Sequence, residues 1–109
     1  MAKGRIAVVR GGSNVFADLG YVDAVERQTK TRLAMAANAA LARRKLKQAD
    51  AARLLGVAQP KVSALVNYRL DQFSVETLME FLVSLGHDVE IMVRPRRARA
   101  GAVSVVEVR

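Results

Sequence analysis

The sequence predicts a mainly α-helical domain, a bundle of about five helices that ends in one β-strand. Three observations predict it. Apolar residues recur at helical spacing in successive stretches between residues 23 and 85. Glycines, Gly56 and Gly86, stand where two of those helices must stop. At residues 88–94 the period then drops to 2, which is the period of a strand.

Residues 1–13 form a short, basic, flexible lead. Ile6-Ala7-Val8-Val9 suits either a short strand or a disordered segment, and Gly11-Gly12-Ser13 reads as a break. The glycines lack the spacing, Lys and Ser/Thr of a phosphate-binding loop, so they imply no nucleotide site. The domain proper is expected over residues 14–95, with Val15, Phe16 and Leu19 docking on the core. Asp18, Asp23 and Glu26 lie in a region without histidine or cysteine, and read as a solvated helix start rather than a metal site.

Residues 23–45 have a helical pattern. Asp23 and Glu26 near the start, and Arg43-Arg44-Lys45 at the end, suit the helix dipole. Alanines at 34, 36, 37, 39, 40 and 42 raise the propensity. Leu33, Ala37, Ala40 and Leu41 form the inner face. A break at Thr29–Thr31 would divide this segment into two helices.

Residues 46–67 read LKQADAARLLGVAQPKVSALVN. Ala49, Ala52 and Leu55 mark the apolar face of one short helix, and Val62, Leu65 and Val66 that of a second. Gly56 ends the first, because glycine enters the left-handed conformation without a steric cost. Ala51 and Ala52 are small enough for close crossing. Two short helices around such a turn make a helix-turn-helix. Leu70 and Phe73 turn inward from the next loop. Ser74 caps a helix with Glu76 in its first turn and a buried stripe of Val75, Leu78, Leu82 and Leu85, widened by Met79 and Phe81. Val89, Ile91 and Val93 alternate with Asp88, Glu90, Met92 and Arg94 until Pro95. This strand needs a partner for its backbone groups: residues 6–9, residues 103–108, or a second copy of the chain. Residues 96–109 are a basic tail.

The stretch resembles the helix-turn-helix of the XRE, or lambda-repressor-like, family. The resemblance rests on Gln48, the small Ala52, Leu54-Leu55-Gly56-Val57, the polar opening Gln59-Pro60-Lys61, and the aliphatics Val62 and Leu65. It extends from about Val15 to Pro95. Asn14 to Gly20, Phe73-Ser74, and Leu85 to Ile91 resemble the compact branch that includes HigA-type antitoxins. Three positions depart from the pattern. Lys47 and Ala58 stand where Ser or Thr often caps, and Tyr68 stands where glycine often follows Asn.

Composition bounds the function. In 109 residues, 51% are apolar, enough for a core, but only 5% are aromatic, so aliphatics and alanine must build it. The absence of cysteine excludes disulfides, thiolate metal sites and cysteine nucleophiles. With a single histidine, His87, and no nucleophile motif, no catalytic residue, metal site or cofactor is expected, and the chain is not read as an enzyme. No signal peptide or membrane-length apolar run is present, which implies a cytoplasmic protein. The net charge is +8, and its placement is informative. Residues 43–69 hold Arg43, Arg44, Lys45, Lys47, Arg53, Lys61 and Arg69 against Asp50 alone. Residues 70–93 hold only acids: Asp71, Glu76, Glu80, Asp88 and Glu90. A basic block coincident with the motif points to a polyanion rather than to a merely solvated surface.

Together the motif and the charge imply a sequence-specific regulator of transcription, a repressor, on double-stranded DNA. The second helix would lie in the major groove and the first across the backbone. Gln48 would meet a phosphate. Gln59 would read adenine, Lys61 guanine or a phosphate, and Ser63 either. Pro60, tolerated in the first turn, would touch a thymine methyl. Asn67 and Arg69 would clamp the backbone, Asn67 with an equal claim to be a helix cap, and Arg43 would meet a phosphate. A homodimer through Val89–Val93 would present two such modules. The resemblance implies an alternative: an antitoxin that neutralises a small ribonuclease toxin, a cognate partner, and represses its own operon.

Overall fold

The computed structural model describes residues 5–10, 19–95 and 103–108. The alanine-rich stretch builds the longest element, helix α1, Leu19–Arg44, 26 residues in one piece. The break expected at Thr29–Thr31 does not occur. Thr29 Oγ1 donates to the Val25 carbonyl at 2.8 Å, and Thr31 Oγ1 to the Arg27 carbonyl at 2.9 Å. Each hydroxyl is satisfied one turn back within the helix, so neither draws the backbone out of it. The described residues therefore hold four helices rather than about five. α1 also starts at Leu19, so Asp23 and Glu26 lie beyond its first turn, where the dipole has fallen off. Glu26 pairs with Lys30 one turn on, at 3.4 Å. The docking expected of Val15, Phe16 and the Leu19 side chain, and the break at residues 11–13, lie outside what is described.

Helices α2, Gln48–Leu55, and α3, Gln59–Val66, follow. Helix α4 is Val75–Ser84. The core is one cluster built from Leu33, Ala34, Ala37, Ala40 and Leu41 of α1, Leu55 of α2, Val62 and Leu65 of α3, and Leu78, Phe81 and Leu82 of α4. Phe73 meets Phe81 edge-on, 5.7 Å between centroids. Two inner-face assignments change. Ala49 is exposed, and Ala51, Ala52 and Leu55 make the buried face of α2. Six residues at 3.6 per turn leave Ala49 about 120° from Leu55, too far round to share its contact. In α3 the buried arc centres on Leu65 and takes in Ala64, leaving Val66 exposed.

All four helices close alike. A left-handed residue stands one or two positions past each helix end: Lys45, Gly56, Tyr68 and Gly86, at φ of +53°, +71°, +59° and +88°. The next N–H then reaches back five residues, as Val57 N–H does to the Ala52 carbonyl at 3.0 Å. This is the Schellman closure, which satisfies carbonyls the helix leaves orphaned. The N-termini differ from one another. Ser74 accepts from the Thr77 N–H at 3.0 Å, whereas Lys47 and Ala58 have cap backbone geometry but no side-chain cap bond.

Strands β1, Arg5–Arg10, β2, Val89–Val93, and β3, Val103–Val108, form one sheet in the order β2-β1-β3. β1 runs parallel to β2, with Val8 opposite Ile91, and antiparallel to β3, with Val8 opposite Val105. The expected single C-terminal strand is thus one of three. Segments assigned to a flexible lead, 1–13, and a tail, 96–109, supply the other two. Val89–Val93 finds its partner within the chain, in residues 6–9. The helical bundle serves as the long crossover that a parallel pair requires. The alternation of Val89, Ile91 and Val93 implies an apolar face laid on the chain's own helices. Only Val89 packs there; Ile91 is 62% exposed and Val93 75%. On the same face of the sheet, Val105 is buried and β3 packs against α1. The helices therefore cover this face at β3 and leave it open towards the end of β2.

The unequal caps predict opposite effects at two sites. Ser74→Ala should lower stability by about 1 kcal/mol, and Ala58→Ser should raise it by up to about 1 kcal/mol. Urea denaturation of both variants checks this. A shift of the same sign in both would contradict the cap assignments.

Candidate nucleic-acid interface

The sequence-predicted site residues lie along one segment, from the end of α1 to the loop beyond α3. Gln48 is half-buried in the first turn of α2, where backbone N–H groups lack intrahelical acceptors. Gln59 and Pro60 open α3 and are exposed. Pro60 costs no hydrogen bond, since an N–H there would be among the unpaired donors. Arg43 and Arg69 are exposed at the two ends of the segment.

Three predicted residues are engaged within the chain. Lys61 was expected to project outward. It is half-buried instead, with its Nζ 5.5 Å from the centroid of the Phe73 ring. A cation over a ring gains about 0.5–1 kcal/mol, enough to hold a flexible lysine down in the absence of an anion. Ser63, likewise expected outward, is half-buried. Asn67 serves as a cap: its Nδ2 donates to the Ser63 carbonyl at 2.8 Å. The capping claim on Asn67 is thus met.

The charges separate as their order in the sequence demands. Arg43, Arg44, Lys45, Lys47, Arg53 and Arg69 are all exposed. Arg53 is ion-paired to Asp50 on α2, which reduces its charge toward an outside anion. Arg44 runs towards the turn closing α4: a Cβ on Gly86 would sit 4.0 Å from its Nη2. Asp71, Glu76 and Glu80 are exposed in the segment that follows.

One residue that positions this site was missed. Asn38 of α1 donates through Nδ2 to the Leu65 carbonyl at 3.0 Å, across 27 residues of sequence. It fastens the C-terminal end of α3 to α1. The signal was available: a lone amide inside Ala36-Ala37-Asn38-Ala39-Ala40. Its Oδ1 is buried without a partner, a cost that the cross-helix bond must exceed.

A helix-turn-helix domain family matches residues 15–94. No curated protein matches. A solved structure of a protein named as an XRE family transcriptional regulator is 58% identical, covering 77% of this chain and 97% of that one, with a TM-score of 0.74. The chain belongs to the helix-turn-helix domain family, in its XRE-like form.

Proposed function

We propose that the protein is a sequence-specific DNA-binding transcriptional regulator that represses by occupying its operator. The observation that carries this reading is the exposed opening of α3, Gln59-Pro60, within a segment whose exposed charges are nearly all cationic. α3 enters the major groove and α2 crosses the backbone. Gln59 offers adenine a paired donor and acceptor. Gln48, at the start of α2, and Arg43 and Arg69, at either end, hold phosphates. Lys61 leaves the Phe73 ring for a base edge or phosphate, an exchange that a full anionic charge favours. Ser63 and Asn67 support the helix end.

Two copies act together. A single module makes few base contacts, and a two-fold pair engages half-sites about 34–36 Å apart. Support for pairing comes from β2, which lies at the sheet edge with Ile91 and Val93 uncovered on the face that α1 covers elsewhere. Antiparallel pairing of two such edges gives an isologous interface. A second reading, an antitoxin for a small basic ribonuclease, draws on the exposed Glu76 and Glu80 of α4. Retention of a basic partner by the purified chain, lost in the Glu76→Lys/Glu80→Lys variant, would favour it.

Two experiments test the main reading. Gln59→Ala should lose about 1–3 kcal/mol on the operator while keeping its affinity for scrambled duplex. With about six phosphates neutralised, log K should fall with log salt at a slope near −5. Equal losses on both duplexes, or a flat salt titration, would remove the reading. The pair Ile91→Lys/Val93→Lys should stay folded, because both positions are exposed, yet run as a monomer in light scattering and bind the operator poorly. A wild-type monomer would show that β2 does not mediate assembly.

A further inference from the structure

The four Schellman closures are equivalent in geometry and unlike in residue. Leu46 N–H reaches the Leu41 carbonyl at 3.3 Å, Arg69 the Ala64 carbonyl at 2.8 Å, and His87 the Leu82 carbonyl at 2.9 Å, matching the Val57 bond at the end of α2. Helices α2 and α4 use glycine at the left-handed position, Gly56 and Gly86. Helices α1 and α3 use Lys45 and Tyr68. A side chain there places its Cβ against backbone oxygen, a strain that glycine avoids. Space does not decide the choice, since a Cβ on Gly56 would meet nothing within 4 Å. Lysine and tyrosine also lack the short polar group that lets Asn or Asp tolerate this conformation.

The closing backbone bonds are the same at all four ends, so they do not favour a side chain over glycine, and no polar or ring contact of either side chain offsets the strain. Lys45 is exposed, and Tyr68 is 47% exposed despite its large apolar ring. Among the described residues neither side chain makes a hydrogen bond, an ion pair or a ring contact. Strained, exposed residues without an internal partner point to a partner outside. Their positions say which. Lys45 begins the turn into α2, beside Arg43, Lys47 and Gln48. Tyr68 directly follows α3, between Asn67 and Arg69. A recognition helix fits the major groove by its diameter and reads bases through its N-terminal residues, so its C-terminal end lies toward the sugar-phosphate backbone. A residue just past its end therefore stands beside a rim of phosphates.

We infer that Lys45 and Tyr68 are phosphate-contacting residues, retained at two left-handed helix ends where glycine would give a more stable fold. The Lys45 ammonium pairs with a backbone phosphate next to the one held at the start of α2. The Tyr68 phenol donates a hydrogen bond to a phosphate at the far end of α3. This rests on the DNA-binding reading above and extends it to two residues that it does not use.

The test uses the full chain and a mixed-sequence duplex of about 30 bp, because phosphate contacts are independent of sequence. Lys45→Gly and Tyr68→Gly should each melt about 2–5 °C above wild type, after the extra unfolded-state entropy of glycine has offset part of the gain. Each should bind the duplex at least about fivefold more weakly. Lys45→Gly should flatten the salt slope by about one, and Tyr68→Gly should leave it unchanged. Tyr68→Phe keeps the ring and the strain but loses the hydroxyl. It should melt like wild type and bind like Tyr68→Gly. Glycine variants that bind as wild type, or that melt below it, overturn the inference while leaving the regulator reading intact. A Tyr68→Phe protein with wild-type affinity overturns the phenol contact. A wild type that fails to bind the duplex overturns the DNA reading and this inference with it.

Discussion

The small-residue face of α1 holds α3 and α4 directly, and α2 is held through them. Ala34, Ala37 and Ala40 are buried between Leu33 and Leu41, and their short side chains let neighbouring helices approach closely. α4 makes the broadest contact with this face, and α3 and β3 also lie against α1. A core with few aromatics has to gain its dispersion energy from many close aliphatic contacts, so the spacing cannot be relaxed. A larger residue at Ala37 would force α3 and α4 outward. The unbroken course of α1 matters for the same reason. A kink at Thr29–Thr31 would have tilted one half of the face away from the other.

That constraint extends to the proposed DNA-reading surface. α3 is seated by Val62 and Leu65 in the core, and Asn38 ties its last turn to α1 through the Leu65 carbonyl. The following loop returns Phe73 to the core, where it meets Phe81 and supports the Lys61 ammonium. Exposed residues at the start of α3 thus ride on a helix fixed at both ends. Placement of the proposed base-reading groups on a rigid element would limit the entropy lost on binding. Lys61, resting on a ring within reach, is the one adjustable member.

What was legible in the sequence follows from which forces are local. Gly56, Gly86 and Ser74 act within a turn, and their roles were readable from residue type and position alone. So was the stripe of Leu78, Leu82 and Leu85. Ala49 and Val66 were misplaced because a short amphipathic pattern defines an arc only to within one residue on either side. The pairing of β2 was left open, since three partners satisfied the same backbone groups and only the tertiary path selects among them. Lys61 was read as outward because its partner, Phe73, is twelve residues away in the chain. Asn38 was missed for a similar reason. An amide in an alanine run says that a buried partner exists, but not which carbonyl it is.

The two ends of the chain close the sheet, and this divides the molecule into parts with different demands. The helix-turn-helix draws its core from residues 33–85, chiefly through α1 against α4 and α2 against α3. The sheet joins residues 5–10 to residues 89–93 and 103–108, so its loop-closure cost falls on the whole length of the chain. Val105 is the sheet residue that enters the buried cluster, with Val89 packed at its edge. The order of costs implies that the bundle is formed before the sheet is complete. Among the described residues α2 and α3 make no substantial contact with the sheet, which leaves β2 free to meet other requirements. This accounts for apolar side chains on β2 that contribute little to the core of their own chain, and whose burial depends on what the sheet edge meets.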